Sequence, residues 1–254
     1  MNESSKVTAI IPARSGSKGI ADKNILLINN KPLIAFSINA ALKSENIDRV
    51  IVSTDSEKYA EIARFYGAET PFLRPKNISS DTSTDLEFFE QAINFFEEND
   101  NYVPEYFVHL RPTTPLRDPK VMDEAIDKFL NADKSYTALR SCHAMSESSY
   151  KTFEIENGKL KGLFNAGFNI ENLNLARQSF PKTYDCNGYI DIVRSELIMT
   201  KKILHGNSVL AFETEYSQEL DEIRDINYLK FLLNENPHRF SKLFADIESS
   251  TQKT

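Results

Sequence analysis

The stretch IIPARSGSKGIADKNI, residues 10–25, joins an apolar segment to a basic loop that contains two glycines. The run KVTAII that leads into it is apolar and β-branched, and Pro12 marks the end of the predicted strand. Arg14, Lys18 and Lys23 follow within one turn. In a doubly wound sheet the first strand-to-helix loop is the usual phosphate site, because backbone N–H groups converge there. The stretch therefore predicts a central first strand whose loop binds an anion.

Downstream of this loop, strand and helix patterns alternate along the chain. PLIAFSINAALKS and TDLEFFEQAINFFEEN have helical spacing, and SEKYAEIARFYGAE is a helix between Ser56 as cap and Gly67 as stop. IDRVIVST and EYFVHLRPT are strands, and the helix after the second strand begins with Asp118 as cap and Pro119 in its first turn. This alternation predicts βαβ units, so we expect a Rossmann-like α/β domain with a mostly parallel sheet over residues 1–234.

The alternation loosens between residues 140 and 185. SYKTFEIENGKLKGLF predicts a β-hairpin whose tight turn is Asn157-Gly158. CNGYIDIVRSELIM then returns to strand and helix, and DEIRDINYLKFLLNE is a closing helix. Past Pro237 the sequence predicts a frayed end, so residues 235–254 are assigned to a C-terminal tail.

Composition limits the possible partners. The chain has 254 residues, 41% of them hydrophobic, and a formal net charge of −7, which argues against nucleic acid or an anionic membrane as its partner.

No apolar run approaches the roughly 18 residues of a membrane span, and the polar start MNESSK does not resemble a signal peptide. Cys142 and Cys186 have no metal-ligand spacing and are expected to be inert. We therefore expect a soluble protein in a reducing cytoplasm.

The first loop matches neither of the two common phosphate-binding motifs. Its glycines, Gly16 and Gly19, do not have the Gly-x-Gly-x-x-Gly spacing, and the Gly-Lys-Ser/Thr of a P-loop is absent. Both glycines still allow the backbone to approach phosphate oxygens closely, and Ser17 adds a hydroxyl donor. The alternative interpretation is a solvated basic loop without a ligand.

The same residues carry a resemblance to a known family. IIPARSGSKGIADKNI resembles IPARGGSKGIPRKNI, the usual signature of the acylneuraminate (CMP-sialic acid synthetase) cytidylyltransferases. The likeness continues, in order, through KPLIAFSINAALKS, IDRVIVSTDSEKYAEIARFYGAETPFLRP, SSDTST, LRPTTPLRDPKVMDEAI and RQSFPKTYDCNGYIDI, within residues 7–232. The resemblance implies a Rossmann-like nucleotidyltransferase fold with a small dimerisation subdomain. It also implies that CMP is transferred from CTP to a nine-carbon 2-keto sugar acid and that pyrophosphate is released.

The resemblance also implies roles for the residues of the first loop. Arg14 and Lys18 match positions that hold triphosphate oxygens, so they are the candidate catalytic cations. Ser17, Lys23 and Asn24 match further nucleotide-binding positions of the motif. The reaction depends on aligning the attacking hydroxyl and neutralising the leaving group. The sequence assigns no general base.

FLRPKNISSDTSTD resembles the family's cytosine-reading segment. It implies that Arg74 donates to the O2 and N3 edge of cytosine and that Ser83 acts through its backbone. Asp85 stands where the family often has a small hydroxyl residue, and its carboxylate is suited to accept from the cytosine amino group. The alternatives are a surface ion pair for Arg74 and a helix N-cap for Asp85.

For a metal, the family pattern is Asp-Ile-Asp-Thr before the last helix, and QELDEIRDINY corresponds to it here. The resemblance therefore implies that Glu219 and Asp221 bind Mg²⁺. Two residues apart on an extended segment, they are expected to point to one side, as a shared cation requires. The longer Glu219 side chain leaves open whether it contacts the metal directly or through water. The alternative is a solvated acidic helix start, and Asp225 is expected at the surface.

The sugar side departs from the family pattern. Arg111 replaces the usual Gln and Asp191 replaces the usual Tyr, at positions that face the sugar acid in the family. We hypothesise that Arg111 and Asp191 pair and adapt the pocket to another acid, such as a legionaminic or pseudaminic acid; the alternative is two independent changes. Arg177 keeps the family's arginine, a candidate partner for the substrate carboxylate, and Gln178 beside it is a further candidate.

Residues 140–185 resemble the family's dimerisation excursion, which implies a homodimer in which Arg177 serves the partner's active site. Two rival functions stay open. One is a cytidylyltransferase for an eight-carbon acid of the Kdo kind, which the first-loop motif disfavours. The other is a non-catalytic nucleotide-binding homologue, for which the change at Glu219 is the only support. His109, within a strand, is expected to be a satisfied core residue.

Overall fold

The computed structural model of the chain describes residues 6–17, 19–163, 169–238 and 241–244. Strands and helices alternate over most of these residues, as the sequence predicts. The strands are β1 Val7–Pro12, β2 Leu27–Ile28, β3 Lys31–Pro32, β4 Arg49–Ser53, β5 Tyr106–His109, β6 Ala138–Ala144, β7 Phe153–Glu156, β8 Lys159–Gly162, β9 Tyr184–Arg194 and β10 Val209–Glu213. The helices are α1 Leu33–Leu42, α2 Glu57–Phe65, α3 Asp85–Phe95, α4 Pro119–Leu130, α5 Ser195–Lys201 and α6 Ile223–Glu235.

Within the described residues, six strands form the main sheet in the order β10-β6-β9-β5-β1-β4. β1 pairs in parallel with β4 and β5, and β6 pairs in parallel with β10. β9 is antiparallel to both of its neighbours, β5 and β6, so the other five strands all run in one direction. The predicted mostly parallel α/β fold is confirmed, and the carboxyl ends of β1, β4 and β5 share one edge.

Helices cover both faces of this sheet because the central strands are apolar on both sides. On β1, Ile10 packs towards Phe88 and Phe89 of α3, whereas Ala9 and Ile11 pack towards the opposite cluster. The residues of α1, α4 and α6 belong to that second cluster. The result is a three-layer α/β/α sandwich, in which α3 lies against one face with its N-terminus beside His109.

The local signals for turns and helix ends are confirmed. The Ser56 side chain accepts from the N–H of Tyr59 at 3.4 Å, and the Asp118 side chain caps α4 with Pro119 in its first turn. At the predicted hairpin turn, Asn157 and Gly158 have φ angles of 52° and 75°, which is the conformation of a type I′ turn. β7 and β8 form a two-stranded sheet of their own.

Two expectations are corrected by the structure. β6 and β10 were not predicted as strands; they pair with each other in parallel at the edge of the sheet, and β6 begins just before the region that looked irregular. The predicted frayed end is wrong at residues 241–244, which are helical. Phe244 is fully buried there and packs edge-on against Phe36, with ring centroids 4.9 Å apart.

In the part of the chain that the structure describes, no helix is both long and apolar enough to cross a membrane. Cys142 and Cys186 face each other across β6 and β9 as free thiols.

Candidate active site

The first loop leaves the carboxyl end of β1 and is held from two sides. The backbone N–H and the hydroxyl of Ser15 donate to the Asp55 carboxylate at 2.7 and 2.8 Å. The buried Asn24 donates from Nδ2 to the carbonyl of Arg14 at 3.0 Å. Gly16 has a φ of +73°, which a side chain would disfavour. Sequence reasoning missed Asp55, although its position directly after β4 at the ligand-binding edge of the sheet was a usable signal.

The Arg14 side chain crosses from this loop to the loop that precedes α3. Its Nη2 donates to Asp81 Oδ1 at 2.7 Å, and each side chain is about one-third exposed. This pair fixes the Arg14 side chain, and anion binding by the loop stays a prediction. Ser17 is partly buried in the same loop, and Lys18 lies outside the described residues.

The same loop contacts the acidic segment that precedes α6. Lys23 Nζ donates to the carbonyl of Leu220 at 2.8 Å and to Asp221 Oδ1 at 3.3 Å. A Cβ added to Gly19 would lie 3.0 Å from the carbonyl oxygen of Asp221, so the two backbones approach too closely for a side chain there. The predicted phosphate loop and Asp221 therefore share one cleft.

Glu219 and Asp221 lie on either side of the fully buried Leu220, and both are exposed. Both side chains therefore point away from the core, while their convergence on one cation stays a prediction. Both residues precede Glu222, the N-cap of α6, so the alternative of a solvated acidic helix start stays open. Asp225 completes that cap by accepting from the N–H groups of residues 221 and 222.

Arg74 is buried rather than at the surface, so the surface ion pair is ruled out. Its Nε donates to Ser53 Oγ at 2.6 Å and its Nη2 to the Ser53 carbonyl at 2.9 Å. The guanidinium lies 4.4 Å above the ring of Phe88, and burial lowers the pKa of Arg74 to about 10. Ser83 closes a nearby turn, in which its N–H donates to the carbonyl of Ser80 at 3.3 Å. Arg74 is thus a preorganised donor beside the loop that leads into α3.

Asp85 is the first residue of α3, not its cap, because Thr84 forms the capping box with Glu87. The Asp85 carboxylate instead accepts from Arg111 Nη2 at 3.2 Å. The predicted cytosine-reading segment and the predicted sugar pocket are therefore joined by an ion pair.

The hypothesised pair of Arg111 and Asp191 is confirmed. Arg111 Nη1 donates to Asp191 Oδ2 at 2.8 Å, and the Asp191 side chain is fully buried. Arg140 Nε donates to the other oxygen at 3.3 Å, and His205 Nε2 lies 3.8 Å from Oδ2. Burial opposes ionisation, but His205 and the two guanidinium groups together hold the pKa of Asp191 well below its usual range. Sequence reasoning missed Arg140 and His205, since neither stands in a recognisable motif.

His109 lies in the core beside this pocket, as predicted, but it is not fully satisfied, since its Nε2 is buried without a hydrogen-bond partner among the described residues. Its side chain is 1% exposed and packs edge-on against Phe88 and Phe89. Burial and the neighbouring charge of Arg111 lower the pKa of His109 to about 3, so the imidazole is neutral at physiological pH.

Arg177 and Gln178 are not brought to these residues. Arg177 Nη2 donates to the carbonyl of Met145 at 3.1 Å, and both side chains line a cavity of about 530 Å³ beside Phe180. Met145 follows the end of β6, five residues beyond Arg140, which corresponds to about 16 Å of strand.

The fold is shared with solved nucleotidyltransferases. A solved structure of CMP-2-keto-3-deoxy-manno-octonic acid synthetase in complex with CTP superposes with a TM-score of 0.65 at 16% identity, covering 91% of this chain and 99% of the other. Sequence similarity narrows the class further. The chain belongs to the cytidylyltransferase family, whose sequence profile matches residues 8–235.

Two curated relatives are similar over most of this chain. The N-acylneuraminate cytidylyltransferase of Escherichia coli is 33% identical over 222 residues, which are 87% of this chain and 50% of that protein. The pseudaminic acid cytidylyltransferase of Campylobacter jejuni is 28% identical over 236 residues, covering 91% of this chain and 97% of that protein. The chain thus spans half the length of the first relative and nearly all of the second.

Proposed function

We propose that this chain transfers CMP from CTP to the anomeric hydroxyl of a sialic-acid-like nine-carbon 2-keto sugar acid, with release of pyrophosphate. The observation that carries the proposal is the contact of Lys23 with Leu220 and Asp221, because it sets the phosphate loop against the acidic segment. The relatives named above act on acids of this class. The Kdo enzyme shares the fold at only 16% identity, so an eight-carbon acid has less support.

In this mechanism the nucleotide lies along the edge of the sheet. Arg14 and Lys18 bind triphosphate oxygens, with Ser17, Lys23 and Asn24 completing or supporting the loop. Arg74, Ser83 and Asp85 are assigned to the cytosine base.

The anomeric oxygen attacks the α-phosphorus while the bond from that phosphorus to the pyrophosphate oxygen breaks. Negative charge grows on the leaving group, and the cations of the loop stabilise it. Lys23 has used two of its three donors on Leu220 and Asp221, which leaves one for a phosphate. Its first task is therefore to fix the loop.

We propose Mg²⁺ as the cofactor, held by Asp221 and Glu219. Among the described residues no group of three or more His, Cys, Asp or Glu side chains is arranged for a metal ion, so two carboxylates are the available protein ligands. That set fits Mg²⁺, which is usually bound by one or two carboxylates together with substrate phosphates and water. When bound, it would neutralise charge on the triphosphate.

The sugar acid is assigned to the pocket of Arg111 and Asp191, with Arg177 and Gln178 contributed by the second protomer of a homodimer. In the proposed domain organisation, residues 1–234 are the cytidylyltransferase domain, 140–185 the dimerisation excursion and 235–254 the C-terminal segment. The hairpin of β7 and β8 supports this proposal because it exposes apolar side chains. Ile155 is 74% exposed there and Phe153 45%, which is typical of a surface that another chain covers. Since CTP is a cytoplasmic metabolite, we place the reaction in the cytoplasm.

The test is pyrophosphate release from CTP, measured with N-acetylneuraminate, diacetyllegionaminate, pseudaminate and Kdo, each with and without Mg²⁺. We expect release with at least one nine-carbon acid and only with Mg²⁺. If N-acetylneuraminate is turned over as efficiently as the best acid, the hypothesis that Arg111 and Asp191 alter specificity is wrong. Release with Kdo alone would favour the eight-carbon alternative, and no release with any acid would favour the nucleotide-binding homologue.

A further inference from the structure

A second arginine stands on the other side of Asp191. Arg140 on β6, Asp191 on β9 and His109 on β5 lie directly opposite one another in the sheet register. Side chains at opposite positions share one face of the sheet, so all three lie on the face that α3 covers. Asp191 Oδ1 accepts from Arg140 Nε at 3.3 Å, while its Oδ2 accepts from Arg111 Nη1 at 2.8 Å.

The two arginines differ in what remains available for a ligand. Arg111 also donates from Nη2 to Asp85, so both of its terminal nitrogens have carboxylate partners. Arg140 uses only Nε, and its Nη1 and Nη2 have no hydrogen bond to any described residue. The Arg140 side chain is 33% exposed, so those nitrogens are accessible from solvent.

This arrangement suits the binding of a carboxylate. Two N–H groups on one edge of a guanidinium form parallel hydrogen bonds to both oxygens of a carboxylate, and less side-chain freedom is lost when the group is already fixed. Asp191 lies between two guanidinium groups and Asp85 pairs with Arg111, so these four charges cancel, and the terminal nitrogens of Arg140 are the donors left for an anion. Asp191 is completely inaccessible and cannot itself contact a ligand in this conformation.

We infer that Arg140 binds the carboxylate of the sugar acid and that Arg111 and Asp191 are positioning residues that hold Arg140 in place. The inference rests on the proposed function and gives the substrate's acid group a partner within the same protomer. It also explains why a charged pair replaces two residues of the family pattern: the buried carboxylate fixes a guanidinium whose terminal nitrogens are open to solvent.

The test compares R140M and R140K with R177M, which removes the competing arginine. The substrate is the best acid of the panel above, and its C1 carboxamide serves as a competitive inhibitor. R140M is expected to raise KM for the acid about 10- to 100-fold, the loss of a charge-assisted bidentate contact, with KM for CTP changed less than about twofold. In R140M the carboxamide should bind as well as the acid, whereas R177M should still prefer the acid.

R140M leaves no positive charge beside Asp191 at this position and could misfold, which circular dichroism would detect. R140K keeps that charge and therefore serves as the second variant. It should raise KM for the acid about 10-fold, because an ammonium cannot make the paired contact. An unchanged KM in both variants, or a preference for the acid that disappears in R177M instead, would overturn the assignment of Arg140 while leaving the proposed function intact. A wild-type protein that turns over none of the acids would overturn both.

Discussion

The loop of Arg14 and the pocket of Asp191 both join arginine to aspartate, but in opposite surroundings. Arg14 and Asp81 form a pair at 2.7 Å in which each side chain is about one-third exposed. Arg111 and Asp191 form a pair at 2.8 Å in which the carboxylate is fully buried. An exposed pair contributes little to stability, because water competes for both ions, whereas breaking a buried pair leaves a charge without compensation.

This difference matches what each region does in the proposed reaction. Arg14 must exchange Asp81 for phosphate oxygens each time a nucleotide binds, and an exposed pair permits the exchange at low cost. The pocket must keep one shape for one acid, and a buried carboxylate shared by two guanidinium groups resists rearrangement. The predictions that follow test whether the exposed pair exchanges its partner readily while the buried pair keeps a fixed geometry.

The largest expected effect is on stability. Asp191→Ala should lower the free energy of unfolding by about 3–5 kcal/mol, because Arg140 loses its carboxylate partner and Arg111 keeps only Asp85. Asp81→Ala, the matched change at the exposed pair, should cost at most about 1 kcal/mol. Urea denaturation of both variants provides the measurement. Equal losses would remove the distinction on which the comparison depends.

The next largest effect is on catalysis. Arg14→Met should lower kcat about 100- to 1,000-fold, since one donor to the developing charge of the leaving group is lost. Its free energy of unfolding should change by less than about 1 kcal/mol, because the Asp81 that it leaves behind is accessible to water. Steady-state pyrophosphate release and urea denaturation test both parts. A variant with normal turnover would show that Arg14 is not a phosphate-binding residue.

Strands and helix ends could be predicted from the sequence better than the contacts of the charged residues around Asp191. The strand that ends at Pro12 and the caps Ser56 and Asp118 follow from local patterns, which is why these predictions are confirmed. β6 was missed because its sequence, ALRSCHA, carries an arginine at a buried level of the sheet and has no clear period. Among the described residues, the partner of that arginine is Asp191 on β9, a long-range contact that no local pattern contains.

The candidate site divides in the same way. The pairing of Arg111 with Asp191 was predictable because two departures from a family pattern had opposite charges. That Asp85 is not the N-cap of α3 could not be predicted, because Thr84 and Asp85 are both good caps and the backbone conformation decides which one precedes the helix. Phe244 is a different case, because Phe240, Leu243 and Phe244 have the i, i+3, i+4 spacing of a helix, a signal that the prediction of a frayed end overlooked. The spacing does not say that the Phe244 ring packs on α1.

A smaller effect concerns His109, which is buried beside Arg111 and Asp191. His109 is held neutral, because burial lowers its pKa to about 3, whereas a histidine in the unfolded chain titrates near 6.5. Below pH ~6.5 the unfolded state therefore binds the proton, and stability falls as the pH drops towards 3, by at most about 1.4 kcal/mol per pH unit. His109→Phe should reduce the stability lost between pH 6.5 and pH 5 by about 1.6 kcal/mol in denaturation experiments. Parallel curves for variant and wild type would mean that His109 does not respond as a buried neutral group.

The smallest effect tests the exchange at Arg14 directly. Asp81→Asn keeps the shape of the side chain but removes the charge that competes with phosphate for the Arg14 guanidinium. KM for CTP should fall about two- to fivefold, the range expected for an exposed ion pair worth about 0.4–1 kcal/mol, while KM for the sugar acid stays the same. The effect should shrink at high salt, because screening weakens the pair in the wild type first. If KM for CTP rises instead, Asp81 helps to hold Arg14 in its binding position, and the exposed pair resembles the buried one more than the comparison allows.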